Sequence, residues 1–299
     1  MSAAVLNIAL GLAAAFIGYL IGRLWEKFQV RRRCWMAREF WHPVLDGTFQ
    51  IVISKFDIPE FREPTGVVGG GDAIANRLLS ELFHDIGLER PQSVYVDERE
   101  LDRANNLVVL GGPAENKVAR QVCDRLRPGM RVVDPGPGLP MQVEMTAQPG
   151  GDWAAPLVHV AEPGQEMIEY GVILRAPSPF ADGRTVVVIQ GAYGYGTWAG
   201  VGLTRSKDFL ARCEALDHED GEPRGRVATA AARAGRRMGL ALGSRAWVPI
   251  ECLYRVDVVD GHPTSTEIVA LRRMSAITAG EPSSPRDGSD RPPEAAGHP

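Results

Sequence analysis

The chain has 299 residues, of which 44% are hydrophobic, so it can bury the core of one or two domains. A net charge of −4 provides no overall basic surface, which argues against nucleic acid as a partner. Four cysteines without a C-x-x-C pair and six histidines without metal-ligand spacing predict neither a zinc site nor a disulfide framework. They favour reduced thiols in a cytosolic domain.

The first predicted element is an apolar segment, Ala3–Gly22, in which only Asn7 is clearly polar. Its length of about 20 residues matches the hydrocarbon core of a bilayer at the rise of an α-helix. Basic residues follow at Arg23, Lys27 and 31–33, so the positive-inside rule places the N-terminus outside and the C-terminal bulk in the cytoplasm. A cleaved signal peptide would carry a basic start and a small-residue cleavage site instead. We therefore predict a single-pass inner-membrane protein with its anchor at residues 1–23.

The anchor and the segment after it suggest two further contacts. Ala14, Gly18 and Gly22 recur at four-residue spacing on one helix face, which permits a homodimer of closely packed anchors but also arises by chance in Ala/Gly-rich spans. Residues 24–47 predict a juxtamembrane helix that is rich in aromatic and basic side chains. This helix either lies against anionic lipid or forms a stalk whose aromatic side chains cover the soluble domain.

The first half of the soluble domain alternates strands and helices. Thr48–Ser54 is β-branched and apolar, and predicts a strand. From Asp72 to Gly87 the apolar spacing becomes helical. Asn106–Leu110 predicts a buried strand, followed by a glycine turn and a helix at Val118–Leu126. Strand, loop and helix in this order are typical of a parallel α/β unit.

The second half predicts more strands and one long helix. Leu157–Val160 and Glu169–Leu174 are expected to form an antiparallel pair at the sheet edge, and Thr185–Ile189 a second central strand. Arg131–Val133 predicts a short strand followed by irregular chain. Thr197 is expected to cap a helix that continues to about residue 215.

The C-terminal part ends in a hairpin and a tail. Val227–Leu242 has helical composition, and the segments 246–259 and 264–273 alternate around the turn Asp260–Pro263. The fold class is therefore α/β, a Rossmann-like, largely parallel sheet with flanking helices and a C-terminal β-hairpin, preceded by one transmembrane helix. The domain boundaries are an anchor at 1–23, a juxtamembrane helix at 24–47, a cytosolic α/β domain at 48–275 and a disordered tail at 276–299.

A glycine-rich loop, Gly191–Thr197, follows the second central strand. It resembles a phosphate-binding P-loop in spacing but lacks the lysine, and it does not have the G-x-G-x-x-G spacing of a dinucleotide site. Tyr193, Tyr195 and Trp198 lie among the glycines, and aromatic rings beside free backbone N–H groups suit a base or a sugar with attached phosphate. The alternative is that these tyrosines only pack against neighbouring loops.

A second loop, Gly111–Asn116, follows the other central strand and has the same two interpretations. If the turn only fits geometrically, Asn116 caps or braces its own loop and Glu115 is solvated. If the turn is functional, Asn116 braces the Gly191 loop or touches a ligand. The sequence predicts no catalytic residue and identifies no cofactor. The predicted ligand-binding residues are Gly111, Gly112, Asn116, Gly191, Tyr193, Gly194, Tyr195, Gly196 and Thr197.

Four carboxylates are noted in the sequence, and two of them are candidates for catalysis. Asp72 and Asp134 follow other strands and are candidates by position alone. Glu81 and Glu115 are the candidates for glycosyl-bond chemistry.

Three sequence segments resemble α/β modules found in archaeal surface-layer-type proteins and in uncharacterised bacterial proteins. They are "NLVVLGGPAEN" at Asn106–Asn116, "APSPF" at Ala176–Phe180 and "VVVIQGAYGYGTWAG", which ends at Gly200. The resemblance covers about a third of the chain and implies that the two glycine loops are paired. It supplies no activity or catalytic residue, and this chain lacks the Ser/Thr-rich stalks of surface-layer proteins.

Three functions are compatible with the sequence. The first is a membrane-anchored cytosolic protein that binds a small, nucleotide-like ligand in a sensing or signalling role without catalysis. The second is a hydrolase or glycosyl-bond-cleaving enzyme with a carboxylate at the same edge of the sheet. The third is a membrane-tethered structural or interaction protein.

Overall fold

The computed structural model describes residues 3–55, 67–86, 88, 92–95, 101–136, 139–146, 157–158, 167–218 and 247–274, and in the first helix the side chains of 12, 15–23, 25 and 35–45. The helices are α1 (Ala3–Leu45), α2 (Gly70–Asp85), α3 (Lys117–Leu126), α4 (Gly194–Leu203) and α5 (Lys207–His218). The strands are β1 (Phe49–Ile53), β2 (Gln92–Tyr95), β3 (Asn106–Leu110), β4 (Met130–Val133), β5 (Gln142–Met145), β6 (Leu157–Val158), β7 (Met167–Pro177), β8 (Thr185–Gly191), β9 (Ile250–Val259) and β10 (His262–Arg273). The predicted helix at 227–242 and the predicted tail at 276–299 lie outside the described residues.

The main sheet has seven strands in the order β10-β9-β7-β8-β3-β1-β2. From β2 through β1 and β3 to β8 the strands are parallel, and from β8 through β7 and β9 to β10 they are antiparallel. The predicted α/β class and the C-terminal hairpin are confirmed. The hairpin turns at Asp260 and Gly261, whose φ angles of 50° and 73° match a two-residue turn with both residues in the left-handed region.

The strand β7 was predicted at the sheet edge and paired with residues 157–160, and this is wrong. It lies inside the main sheet between β8 and β9, while β6 pairs with β5 in a separate three-stranded sheet of order β4-β5-β6. The reason is that residues Gly171–Ala176 are buried without interruption, so the strand requires neighbours on both sides. The strand β5 occupies chain that was predicted to be irregular.

Helix α1 is continuous, and its C-terminal end belongs to the core of the domain. Phe40, Trp41 and Val44 are almost fully buried, and the Trp41 ring lies edge-on to Phe83 of α2 with 5.1 Å between centroids. The juxtamembrane segment 24–47 therefore ends as a core element of the α/β domain, which agrees with the interpretation that its aromatic side chains cover that domain. In the part of the chain whose side chains are described, no helix is sufficiently long and apolar to cross a membrane. The side chains of 1–11 and 13–14, in the predicted anchor, lie outside that part.

Two buried polar side chains fix the end of α1 to the sheet. Arg175 of β7 donates to the Phe40 carbonyl at 3.2 Å and forms an ion pair with Asp217 of α5 at 2.7 Å. Asn106 of β3 donates to the Val44 carbonyl at 2.9 Å and accepts the Thr185 N–H at 2.8 Å. Because each side chain joins α1 to a central strand, the helix is held in a defined position on the domain.

Candidate functional site

The two predicted glycine loops meet at one cleft of about 530 Å³ at the carboxyl ends of β3 and β8. We call it the glycine cleft. In open α/β sheets this edge is where ligands bind. Six of the nine predicted residues line it: Gly112, Gly191, Tyr193, Gly194, Tyr195 and Thr197.

A third glycine turn completes the wall of the cleft. Residues Gly69–Gly71 begin helix α2, and their neighbour Asp72 lies in its first turn. Helices α2 and α4 approach so closely here that a Cβ atom on Gly71 would lie 2.2 Å from the Gly194 carbonyl oxygen. Both helices begin at the cleft, and in neither does the side chain of the N-cap residue form a capping hydrogen bond.

The β3–α3 loop is held by its own asparagine. Asn116 is fully buried; its Oδ1 accepts the Val118 and Ala119 N–H groups at 3.0 and 3.1 Å, and its Nδ2 donates to the Leu110 carbonyl at 2.8 Å. These bonds cap α3 and brace the turn, so Asn116 positions the loop behind the cleft wall. Gly111 is also behind the wall, with φ of 98° and a Cβ position only 2.0 Å from Ser54 Oγ.

The β8–α4 loop is held from beneath by a carboxylate on β7. Glu169 Oε1 accepts the Tyr193 N–H at 2.5 Å, and Cβ atoms at Gly191 or Gly196 would lie 2.6 or 2.4 Å from the same oxygen. Tyr254 of β9 also donates to the Gly196 carbonyl at 2.9 Å. Gly196 is thus a packing position under the loop, and the glycines are needed because Glu169 occupies the space.

Thr197 does not cap the helix that follows the loop. The N-cap is Tyr193, and Thr197 lies inside the first turn of α4, where its Oγ1 accepts the Gly191 N–H at 3.3 Å. The predicted single helix to residue 215 is two helices, because α4 ends at Leu203 and α5 begins at Lys207. The Thr197 hydroxyl also lies beside the Asp72 carboxylate, so the loop and α2 meet at this point.

The cleft and its walls are acidic. Burial raises the pKa of Asp72 from 3.8 to about 6 against the lowering effect of the Thr197 and Ser54 hydroxyls, and the nearby Glu115 raises it further. Burial raises the pKa of Glu169 from 4.5 to about 7, although the Tyr193 and Gly196 N–H groups oppose this. Glu115, at the cleft rim, also has a raised pKa, chiefly through partial burial. No lysine or arginine is among the described residues that line the cleft.

The other carboxylates named from the sequence lie elsewhere. Glu81 is exposed on α2 and forms an ion pair with Arg77 at 3.1 Å. Asp134 lines a neighbouring groove beside α3, where its Oδ1 accepts the Gly136 N–H at 2.9 Å. Among the described residues, no group of three or more His, Cys, Asp or Glu side chains could hold a metal ion.

Sequence reasoning missed three contributors to the site. Glu169 was assigned only to a strand, although a charged residue at the start of an apolar run is a usable signal of a buried role. His262, at the tip of the β9–β10 hairpin, reaches the cleft and places its ring 5.8 Å from that of Trp198. Ser54 follows β1 directly and lies beside Asp72, while its hydroxyl donates to the Leu110 carbonyl at 3.2 Å, and nothing in its local sequence indicates this.

No protein-family model matches the chain, and neither the curated proteins nor the solved structures include a match. The resemblance to modules of surface-layer-type proteins therefore stays a prediction.

Proposed function

We propose that this protein binds a small, nucleotide-like ligand in the glycine cleft and acts as a membrane-tethered sensor without catalysis. The observation that carries the proposal is that three glycine turns meet at one cleft at the carboxyl ends of parallel strands. One turn follows β3, one follows β8, and the third begins α2. Its volume of about 530 Å³ lies within the range of sites for small molecules.

The cleft offers both kinds of contact that a nucleotide needs. Tyr193 is 42% exposed at its wall, and the Trp198 and His262 rings lie nearby, so a base has aromatic surfaces on which to stack. The N-terminus of α2, which has no side-chain cap, supplies backbone N–H groups and the positive end of a helix dipole, which suit an oxygen-rich group such as a single phosphate. At the N-terminus of α4 the Tyr193 and Gly196 N–H groups already bind Glu169.

The membrane tether is part of the proposal. The described apolar side chains in the first half of α1 are exposed by 42% or more, and they require a cover that the domain does not provide. These side chains are Leu12, Phe16, Ile17, Tyr19, Leu20, Ile21 and Trp25. A bilayer with the α/β domain on its cytoplasmic side would provide the cover. Cβ atoms at Gly18 and Gly22 would meet no other atom within 4 Å, which leaves room for a second anchor helix.

The test is a thermal-unfolding screen of the full chain in detergent micelles against nucleosides, nucleotides and dinucleotides. A ligand at 100 times its Kd adds about 2.7 kcal/mol to the unfolding free energy, which is a rise of several degrees in Tm. The variant Tyr193→Ala, which removes a ring from the wall, should weaken the response. If no compound raises Tm, the proposed function is rejected.

A second candidate, cleavage of a glycosyl bond, is favoured by one observation. Asp72 and Glu115 are carboxylates of the cleft with raised pKa values, as a general acid would need, whereas Glu81 lies away from it. Incubation of the protein with nucleosides and dinucleotides, followed by chromatography, would detect a released base. If the wild type releases more base than an Asp72→Asn variant, the protein is an enzyme rather than a sensor.

A further inference from the structure

Asp72 lines the glycine cleft, and one of its carboxylate oxygens is buried without a hydrogen-bond partner among the described residues. Asp72 is only 5% exposed, and the Ser54 and Thr197 hydroxyls lie beside its carboxylate, although the Ser54 hydroxyl donates to the Leu110 carbonyl at 3.2 Å. Its Oδ2 lies on the Ser54 side, since the Cβ position of Gly111 is 2.0 Å from Ser54 Oγ and 3.0 Å from that oxygen. Among the described residues, its Oδ1 has no hydrogen-bond partner. A buried charged oxygen without a donor lowers stability, so a donor that reached it from the cleft would be favourable.

The surroundings of Asp72 do not neutralise it. The described lining residues include no lysine or arginine, and the second acidic group at the cleft, Glu115, has the same sign. Glu169, behind the β8–α4 loop, adds a third carboxylate. A ligand group that reaches Asp72 must therefore be a donor, and a chain of phosphates would be repelled.

We propose that Asp72 is the anchor of the ligand: its Oδ1 accepts a hydrogen bond from an O–H or N–H group of a nucleoside, and the cleft prefers that nucleoside to its triphosphate. This inference rests on the proposed function. The shared chemistry is a hydrogen-bond donor, which a nucleoside presents either on the ribose hydroxyls or on the base.

Titration calorimetry of the full chain in detergent micelles tests this inference, with adenosine, guanosine, cytidine and uridine as probes. For the nucleoside that binds most tightly, Asp72→Asn should weaken binding by roughly 10- to 100-fold, as expected for loss of a hydrogen bond to a charged group. The matched control is Asp208→Asn on the exposed face of α5, where the carboxylate forms an ion pair with Arg212, and this variant should bind like the wild type. The 5′-triphosphate of the same nucleoside should bind more weakly than the nucleoside.

Two further arms locate the donor and exclude misfolding. Weaker binding of the 2′,3′-dideoxynucleoside assigns the donor to the 2′- or 3′-hydroxyl, and unchanged binding assigns it to the 5′-hydroxyl or to the base. Without ligand, Asp72→Asn should have the same Tm as the wild type at pH 8, or a higher one, because an uncompensated charge is removed. A lower Tm would give Oδ1 a structural role and overturn the inference.

Equal nucleoside affinity of the wild type and Asp72→Asn, or tighter binding of the triphosphate, would overturn the inference while the proposed function stands. Absence of nucleoside and nucleotide binding would reject both.

Discussion

The carboxyl group of Glu169 should make the stability of the fold depend on pH. The side chain is fully buried, and burial raises its pKa from 4.5 to about 7. Because the pKa in the folded state is above that in the unfolded state, the protonated carboxyl favours folding. Its stabilising contribution is complete below pH 4.5 and is lost as the pH rises through about 7. The difference between the folded and unfolded pKa values corresponds to a loss of about 3 kcal/mol of unfolding free energy at pH 8.

The substitution Glu169→Gln separates this charge from the loop contact. A glutamine carbonyl can still accept the Tyr193 N–H, while its amide nitrogen takes the place of Oε2, which has no hydrogen-bond partner among the described residues. We therefore expect the variant to be more stable than the wild type at pH 8, by about 2 kcal/mol, because the unpaired amide offsets part of the gain. At pH 5 the variant should be equal to the wild type or slightly less stable. The unfolding free energy of the variant should still fall as the pH rises, but less steeply, because Asp72 with its pKa of about 6 still titrates.

Urea unfolding of the full chain, followed by tryptophan fluorescence at several pH values from 5 to 8, measures the effect. The matched control is Glu81→Gln on the exposed face of α2, which should keep the wild-type slope. The reasoning would be refuted if Glu169→Gln showed the wild-type slope or lost stability at pH 8.

Three other variants test the packing beneath the cleft and the attachment of α1. Gly196→Ala should lower the unfolding free energy by about 1 to 3 kcal/mol in thermal unfolding, because its Cβ would lie 2.4 Å from Glu169 Oε1. The control Gly202→Ala in the same helix meets no atom within 4 Å and should be neutral or stabilising. Arg175→Met should cost about 3 to 5 kcal/mol in urea unfolding because the buried carboxylate of Asp217 loses its ion-pair partner and keeps only the Val248 N–H. The exposed Arg205→Met should cost less than about 1 kcal/mol. A chain without residues 1–30 should keep its circular dichroism and resist limited proteolysis, but one without residues 1–42 should not, because it loses Phe40 and Trp41; equal resistance of the two would contradict the packing of α1.

The elements that sequence patterns predicted well are those whose signals are local. The strand β3 begins and ends at the predicted residues, since five apolar or buried side chains are bounded by a polar turn and a glycine pair. The β9–β10 hairpin follows from the Asp260–Gly261 turn, which requires left-handed backbone at both positions. The meeting of the two glycine loops was also expected, because parallel strands end at the same edge of a sheet.

The features that the sequence did not predict depend on distant partners. The central position of β7 depends on pairing with β9, which lies more than 70 residues later in the chain. The burial of Trp41 depends on α2, and an aromatic residue in a basic helix is equally compatible with a lipid surface. The role of Glu169 depends on the loop that follows β8, so a single strand pattern cannot reveal it.

The glycines of the β8–α4 loop are explained by a different cause from the one their sequence suggests. A glycine-rich turn between a strand and a helix normally indicates close approach of a ligand to the backbone. Here Gly191 and Gly196 leave space for the Glu169 carboxylate, and Gly194 leaves space for Gly71 of α2, so internal packing accounts for all three. The argument for a ligand therefore does not depend on the number of glycines. It depends on what they leave at the surface of the cleft, which is the end of α2 without a side-chain cap, the aromatic rings and an Asp72 oxygen that has no partner among the described residues.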